Sequence, residues 1–160
     1  MTDFFKDIGR GKIGEQIFVD DFLNFLKIEY KDVTGCQKYQ VIDSDFITGV
    51  KTYEIKANYK DNDILIFEDY TNINEGLGKK SLGWVYKTRA DLIIFVSVKT
   101  RTMIMLPFGN KFKQNYKNIR GKTKLIHNSI SCGNGNKWQS AFRKVPFCLL
   151  DGYISVYKKL

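Results

Sequence analysis

A chain of 160 residues and 18.6 kDa, 43% hydrophobic and 14% aromatic, is long enough to bury a core and reads as a single domain spanning 1–160. Its net charge of +9 is unevenly spread: residues 1–91 carry 13 Lys and Arg against 16 Asp and Glu, while residues 92–150 carry 11 Lys and Arg and no acid, which points to a polyanionic partner such as nucleic acid. Cys36, Cys132 and Cys148 are odd in number, widely scattered and without C-x-x-C spacing, which fits a reducing compartment; a zinc site from them and His127 is formally open but has no close paired ligands, and neither a leader nor an apolar run of about 20 residues is present, so a cytoplasmic, non-membrane protein is expected.

The chain opens on a predicted helix. Thr2 suits its N-cap with Asp3 in the first turn, and apolar residues recur at Phe4, Ile8, Phe18, Phe22 and Leu26, flanked by Val19, Leu23 and Phe25. An advance of about 100° per residue places Gly11 and Glu15 in the middle of that stripe. Glu15 therefore faces the core, where a carboxylate must be paired, with Arg10 or Lys12, or must bind a cation. Gly11 and Gly14 weaken the helix but let it approach another backbone closely.

Residues 40–56, QVIDSDFITGVKTYEIK, predict two extended segments joined by a turn at Thr48 and Gly49. In the second, Tyr53, Ile55 and Ala57 share one face and Glu54 and Lys56 the other. In the first, Asp43, Asp45 and Ile47 alternate with Ile42, Ser44 and Phe46. Paired as a hairpin, the two would bring an aspartate, a glutamate and a lysine to one sheet edge, the chemistry a hard cation and a scissile phosphate need. Asp45 lies nearer the turn than Asp43 and is preferred. Glu29-Tyr30-Lys31 repeats the acid-x-Lys spacing.

Residues 60–63 read as a turn and 64–67 as a third strand running into Glu68 and Asp69, with Ile64, Ile66 and Glu68 on one face. Glu68 is either a further metal ligand or a solvated strand end. The glycine-dotted residues 71–90 predict a loop with one helical turn, where Lys79, Lys80, Lys87 and Arg89 surround Trp84 and Tyr86. That composition suits phosphate contact and base stacking, although Trp84 serves equally as a plug over the core. Residues 91–98 predict a central strand covered on both faces, and 103–106 a neighbour ended by Pro107. Residues 108–124 predict a helix with Phe112, Tyr116 and Ile119 on one face and Lys111, Lys113, Lys117 and Arg120 on the others, a surface for a phosphate backbone. A loop at 129–136 and two short strands around Asp151-Gly152 complete the chain. His127, the only histidine, has no nucleophile at triad spacing. The fold class expected is α/β (α+β), a central mixed sheet flanked by helices.

An aspartate after one strand and Glu-x-Lys on the next resembles the PD-(D/E)XK nuclease superfamily, the restriction-endonuclease-like and Holliday-junction-resolvase-like proteins. The matching residues are Asp45, Glu54 and Lys56. Glu15, in GKIGEQIFVDDFL, is similar to the glutamate many members carry on the first core helix, and the likeness runs over roughly residues 5–107. Ser44 stands where the family often has proline. The resemblance implies a restriction-endonuclease-like core and a nuclease that hydrolyses phosphodiester bonds in DNA with Mg²⁺ or Mn²⁺. Asp45, Glu54 and the Ile55 carbonyl would ligate the ion, Glu15 and Glu68 would complete the shell, and Lys56 would orient or deprotonate water. A homodimer and a phage or mobile-element origin are compatible with so small a member. Two alternatives stand beside it: a non-catalytic nucleic-acid-binding protein using the basic C-terminal half, and a nuclease acting on RNA.

Overall fold

The computed structural model describes residues 3–60, 63–73, 80–131 and 137–159. In chain order these form α1 (Asp3–Phe18) continuing into a π-helical segment (Val19–Asn24), β1 (Tyr30–Asp32), α2 (Gln37–Gln40), β2 (Phe46–Thr48), β3 (Thr52–Asn58), β4 (Ile64–Ile73), β5 (Lys80–Leu82), α3 (Trp84–Lys87), β6 (Leu92–Ser97), β7 (Thr102–Pro107), α4 (Asn110–Lys122), β8 (Leu125–Ser131), β9 (Lys137–Pro146), a 3-10 turn (Phe147–Leu149) and β10 (Ser155–Lys158). The strands make two sheets, one of six in the order β1-β2-β3-β6-β7-β10 and one of four in the order β5-β4-β9-β8. Within the larger sheet β3 and β6 run parallel and the other neighbours antiparallel. The protein is therefore α+β with a mixed central sheet. A parallel pair needs a long crossover, and here β4, β5 and α3 all lie within it.

Strand β6 is the covered strand that its apolar run predicts. Because side chains alternate, Ile94 and Val96 pack with Phe18, Leu23, Phe46 and Tyr53 beneath α1 and the segment after it. Ile93 and Phe95 face the other way, into a core shared with Leu65 and Phe67 of β4, Val145 of β9, Trp84 and Val85 of α3, and Phe112, Tyr116 and Ile119 of α4. The apolar face predicted for α4 is thus the buried one. A buried polar knot ties that helix to the second sheet: the Asp69 carboxylate accepts from Tyr116 Oη at 2.6 Å and from Arg143 Nε at 2.8 Å.

Five expectations fail for identifiable reasons. The first helix does not keep its 3.6-residue phase, because the π-helical segment inserts an extra residue and rotates the stripe. Asp21 and Leu23 become buried while Phe25 and Leu26 are 51% and 45% exposed. Buried Asp21 is satisfied by Arg101 Nε at 2.5 Å and Lys159 Nζ at 3.5 Å, and the Arg101 hydrogen bond holds its carboxyl below the usual range. The expected strand at 40–45 begins only at Phe46, and the chain before it forms α2 and a turn. Around the predicted loop at 71–90, β4 runs on to Ile73 and β5 pairs with it; residues 74–79, with Lys79, lie outside the described residues. Near the C-terminus β8 and β9 pair as a hairpin through Ser131 and Lys137, so only 132–136 of the predicted loop remain, also outside the described residues. The first expected strand of the tail is the 3-10 turn, since β10 takes the free edge of β7. Gly152, at φ +75, supplies the turn between them.

Candidate functional site

The site grows from a place where two strands stop pairing. The β2–β3 register comprises Phe46 with Tyr53 and Ile47 with Thr52, and the turn is closed by the Thr48 amide on the Lys51 carbonyl at 2.9 Å. One residue earlier Asp45 is still fixed through its main chain, donating to Tyr53 O at 2.8 Å and accepting from Val33 N at 2.9 Å. Its carboxylate then does what the next strand residue would have done: Oδ2 accepts the Ile55 amide at 2.7 Å. On β3 itself Tyr53 and Ile55 enter the core beneath α1. Glu54 and Lys56 point to the opposite face, where the Lys56 ammonium hydrogen-bonds Glu54 Oε1 and lies 5.5 Å from the centroid of the Trp84 ring.

Helix α1 delivers the third acid. A Cβ on Gly14 would stand 2.8 Å from the Ala57 Cβ, so the absence of one lets the helix lie directly against β3. One residue on, Glu15 lines a cavity of about 580 Å³ together with Asp43, Asp45 and Glu54. Asp43 reaches this cavity by a route that strand alternation misses. It occupies the turn after α2 at φ +46, a left-handed conformation that aspartate tolerates better than most residues. The turn is pinned by the Thr88 hydroxyl on Asp43 O and the Arg89 amide on Ile42 O, both at 3.0 Å. Asp43 Oδ2 is buried with no hydrogen-bond partner.

Packing these acids together has an electrostatic consequence. Burial pushes the Asp45 carboxyl up to about 6 and Glu54 up to about 7, against the pull of the Ile55 amide on the first and of Lys56 on both. Glu15 is raised as well, by burial and by the neighbouring charges of Asp32 and Glu54, and burial raises Asp43. Burial opposes the charge on Lys56, but Glu54, Asp45 and Asp43 outweigh it and hold the lysine above its ordinary value. A cluster of mutually repelling oxygen donors, one of them unpartnered, suits a hard divalent cation. Among the described residues no group of three or more acids, histidines or cysteines converges on one ion position, and Glu54 is engaged by Lys56.

The remaining candidates fall elsewhere. Ile55, Lys56, Glu68 and Trp84 line a neighbouring cavity of about 460 Å³. Glu68 therefore lies beside the acidic cavity, on the middle of β4 in the second sheet and not at a strand end; burial raises its carboxyl against the pull of Lys56 and the Trp84 amide. Trp84 is 8% exposed and packs on Phe67, Phe95 and Phe108, so it is a wall of the core and not a surface stacking residue. Lys87 is exposed on α3, and its charge acts on Asp43 and Glu68. Lys80 lies in β5. On α4, Lys111 and Lys117 are exposed, whereas Lys113 donates to Thr88 O at 3.0 Å and Arg120 Nε sits 3.6 Å from Asp69. Comparison with models of known families, with curated proteins and with solved structures yields no match to this chain. Any function must therefore be argued from the arrangement of these side chains.

Proposed function

We propose that the chain is a metal-dependent nuclease hydrolysing phosphodiester bonds in DNA, with a PD-(D/E)XK-type site on a restriction-endonuclease-like core. The observation that carries this reading is the meeting of Glu15, Asp45 and Glu54, from three separate stretches of chain, around one cavity, with Lys56 in contact with Glu54. Asp45 and Glu54 would hold Mg²⁺ or Mn²⁺, with Glu15 and Asp43 facing the same space and Ile55 beside it. The cation supplies Lewis acidity toward the phosphate and acidifies water.

The protein's own groups have distinct tasks. Asp45 is oriented by the Ile55 amide, so its free lone pairs are presented without side-chain wandering. Glu54, paired with Lys56 in the chain as it stands, would hold the cation instead, and the Lys56 ammonium would then be available to the phosphate. Lys56, whose charge Glu54, Asp45 and Asp43 favour against burial, would offset charge on the phosphorane and orient the attacking water. The basic residues 92–150 supply the attraction for a polyanion.

A second reading, a non-catalytic nucleic-acid-binding protein, is favoured by the Glu54–Lys56 contact, which leaves the pair satisfied without an ion. Linear, branched and single-stranded DNA, with RNA as a control, incubated with Mg²⁺ or Mn²⁺ separates the two. The nuclease reading expects cleavage that Asp45→Ala and Lys56→Ala abolish while salt-sensitive binding persists. Intact substrates throughout would leave only the binding reading.

A further inference from the structure

Three cavities succeed one another along β3. The acidic cavity shares Gly11 with the 460 Å³ cavity, and that one shares Asn58 and Ile66 with a third of about 70 Å³. At the first junction stands Gly11, where an added Cβ would meet nothing nearer than Glu15 Oε1 at 3.9 Å. The chemistry changes in step along this line. Carboxylates predominate in the first cavity; Leu65, Ile66, Trp84 and Phe95 wall the second, together with Arg10, Lys56 and Glu68; Lys60 and Lys144 border the third. Ile66 is 44% exposed, an apolar side chain kept at the mouth of a trough, and Lys144 is its direct cross-strand partner. Tyr59 lines the trough 39% exposed, its hydroxyl donating to Arg10 O at 2.9 Å and its ring 5.2 Å from the Arg10 guanidinium.

Acid cluster with lysine, apolar slot, then a pair of cations is the order in which a nucleic-acid strand presents phosphate, base and next phosphate. We propose that the apolar cavity receives one unpaired nucleobase adjoining the phosphate at Lys56, with the following phosphate on Lys60 and Lys144, so that the substrate is single-stranded DNA or the unpaired end of a duplex. This rests on the nuclease reading above. A base inside a duplex is stacked and paired on its edges, so it enters a side-chain-lined slot only after being freed from its partner. The volume lies within the range of pockets that hold small ligands, and Glu68 at its wall offers an acceptor for an exocyclic amine. Helix α4 fits the role less well, since Lys113 and Arg120 are held by Thr88 and Asp69.

The test uses a single strand carrying one 2-aminopurine, with EDTA present so that nothing is cut. The full-length protein should alter the 2-aminopurine emission and bind this strand about tenfold more tightly than a blunt duplex of the same sequence. Ile66→Trp, at an exposed position, should abolish the emission change while leaving the thermal midpoint unchanged. Lys60→Glu with Lys144→Glu, which removes the contact to one phosphate, should lower the salt slope of single-strand binding by about 0.7. Equal affinity for the blunt duplex, or an emission change that survives Ile66→Trp, overturns the proposal. The two readings fail separately: cleavage of blunt duplex at the single-strand rate removes the cavity assignment and keeps the nuclease, whereas an emission change with no cleavage of any DNA in Mg²⁺ or Mn²⁺ removes the nuclease and keeps the cavity's ligand.

Discussion

The Asp45 carboxylate accepts the Ile55 amide at 2.7 Å, at the point where the β2–β3 register has ended. A side chain thus stands in for a missing strand residue, and two substitutions separate its roles. Asp45→Asn keeps an oxygen for the amide and loses the charge; Asp45→Ala leaves a buried donor unsatisfied, at a cost of about 1–3 kcal/mol. Both should be inactive as nucleases, but urea unfolding at pH 5 should rank Asn as the more stable. Equal stabilities would show that the amide finds another partner.

Stability should fall as pH rises through the range of the acid pair. Asp45 and Glu54 titrate higher in the folded chain, at about 6 and about 7, than their ordinary values of 3.8 and 4.5. Their contribution is therefore complete below about pH 4 and lost as pH climbs through 6 to 7, where the folded state must ionise against burial. Urea midpoints from pH 5 to 8 should decline in the wild type and flatten in the Asp45→Asn, Glu54→Gln double variant.

Divalent cation should reverse that decline. At pH 8, saturating Mn²⁺ should raise the thermal midpoint, and at pH 6 the same titration should release protons, read by calorimetry in two buffers of different ionisation enthalpy. Glu54→Gln should remove both effects. A midpoint that Mn²⁺ leaves unchanged in the wild type would argue against an ion among these acids.

Lys56→Met should lower cleavage about 10²–10³-fold, the usual loss when one preorganised positive donor to a developing charge is removed. If Lys56 serves as a cation and not as the base, its deprotonation should be absent from the pH–rate profile between about 6 and 9; a limb in that range that Lys56→Met removes would assign it the base role.

The two helix glycines should behave oppositely. Gly14→Ala forces a Cβ to within 2.8 Å of Ala57 and should destabilise by about 1–3 kcal/mol. Gly11→Ala enters open space and should stabilise the helix by up to about 1 kcal/mol. Thermal or urea unfolding of both variants decides it.

Sequence periodicity was sufficient wherever one face of an element is buried along its whole length. Strand β6 and helix α4 are such elements, and Ile93 to Val96 and Phe112, Tyr116 and Ile119 lie where their spacing puts them. It also brought Glu15 to the acids of β3, since Glu15 lies within the sixteen-residue α1, ahead of the π-helical segment. What failed was set by neighbours remote in sequence. Asp43 is displaced from the strand pattern by a turn fastened to Thr88 and Arg89, and Phe25 and Leu26 by an inserted residue that no local propensity marks. Strands β8 and β9 pair along their length, but their polar residues break any two-residue apolar period, so their pattern offers little to read. Trp84 sat among lysines in sequence yet joins the core, because Gly83 packs against the backbone of Glu68 with no room for a Cβ, 2.0 Å from the Glu68 carbonyl oxygen.

The long crossover between β3 and β6 bears on how this site comes into being. Glu54 and Lys56 lie against Ile93 and Phe95 in register, so the parallel rung that rigidifies them closes a loop of more than thirty residues and must wait for it. A nascent or truncated chain ending before Leu92 carries Glu15, Asp45, Glu54 and Lys56 in full, yet lacks the strand on which they are braced. Such fragments should be inert toward cation, and on the ribosome cation binding should not arrive before β6 has emerged.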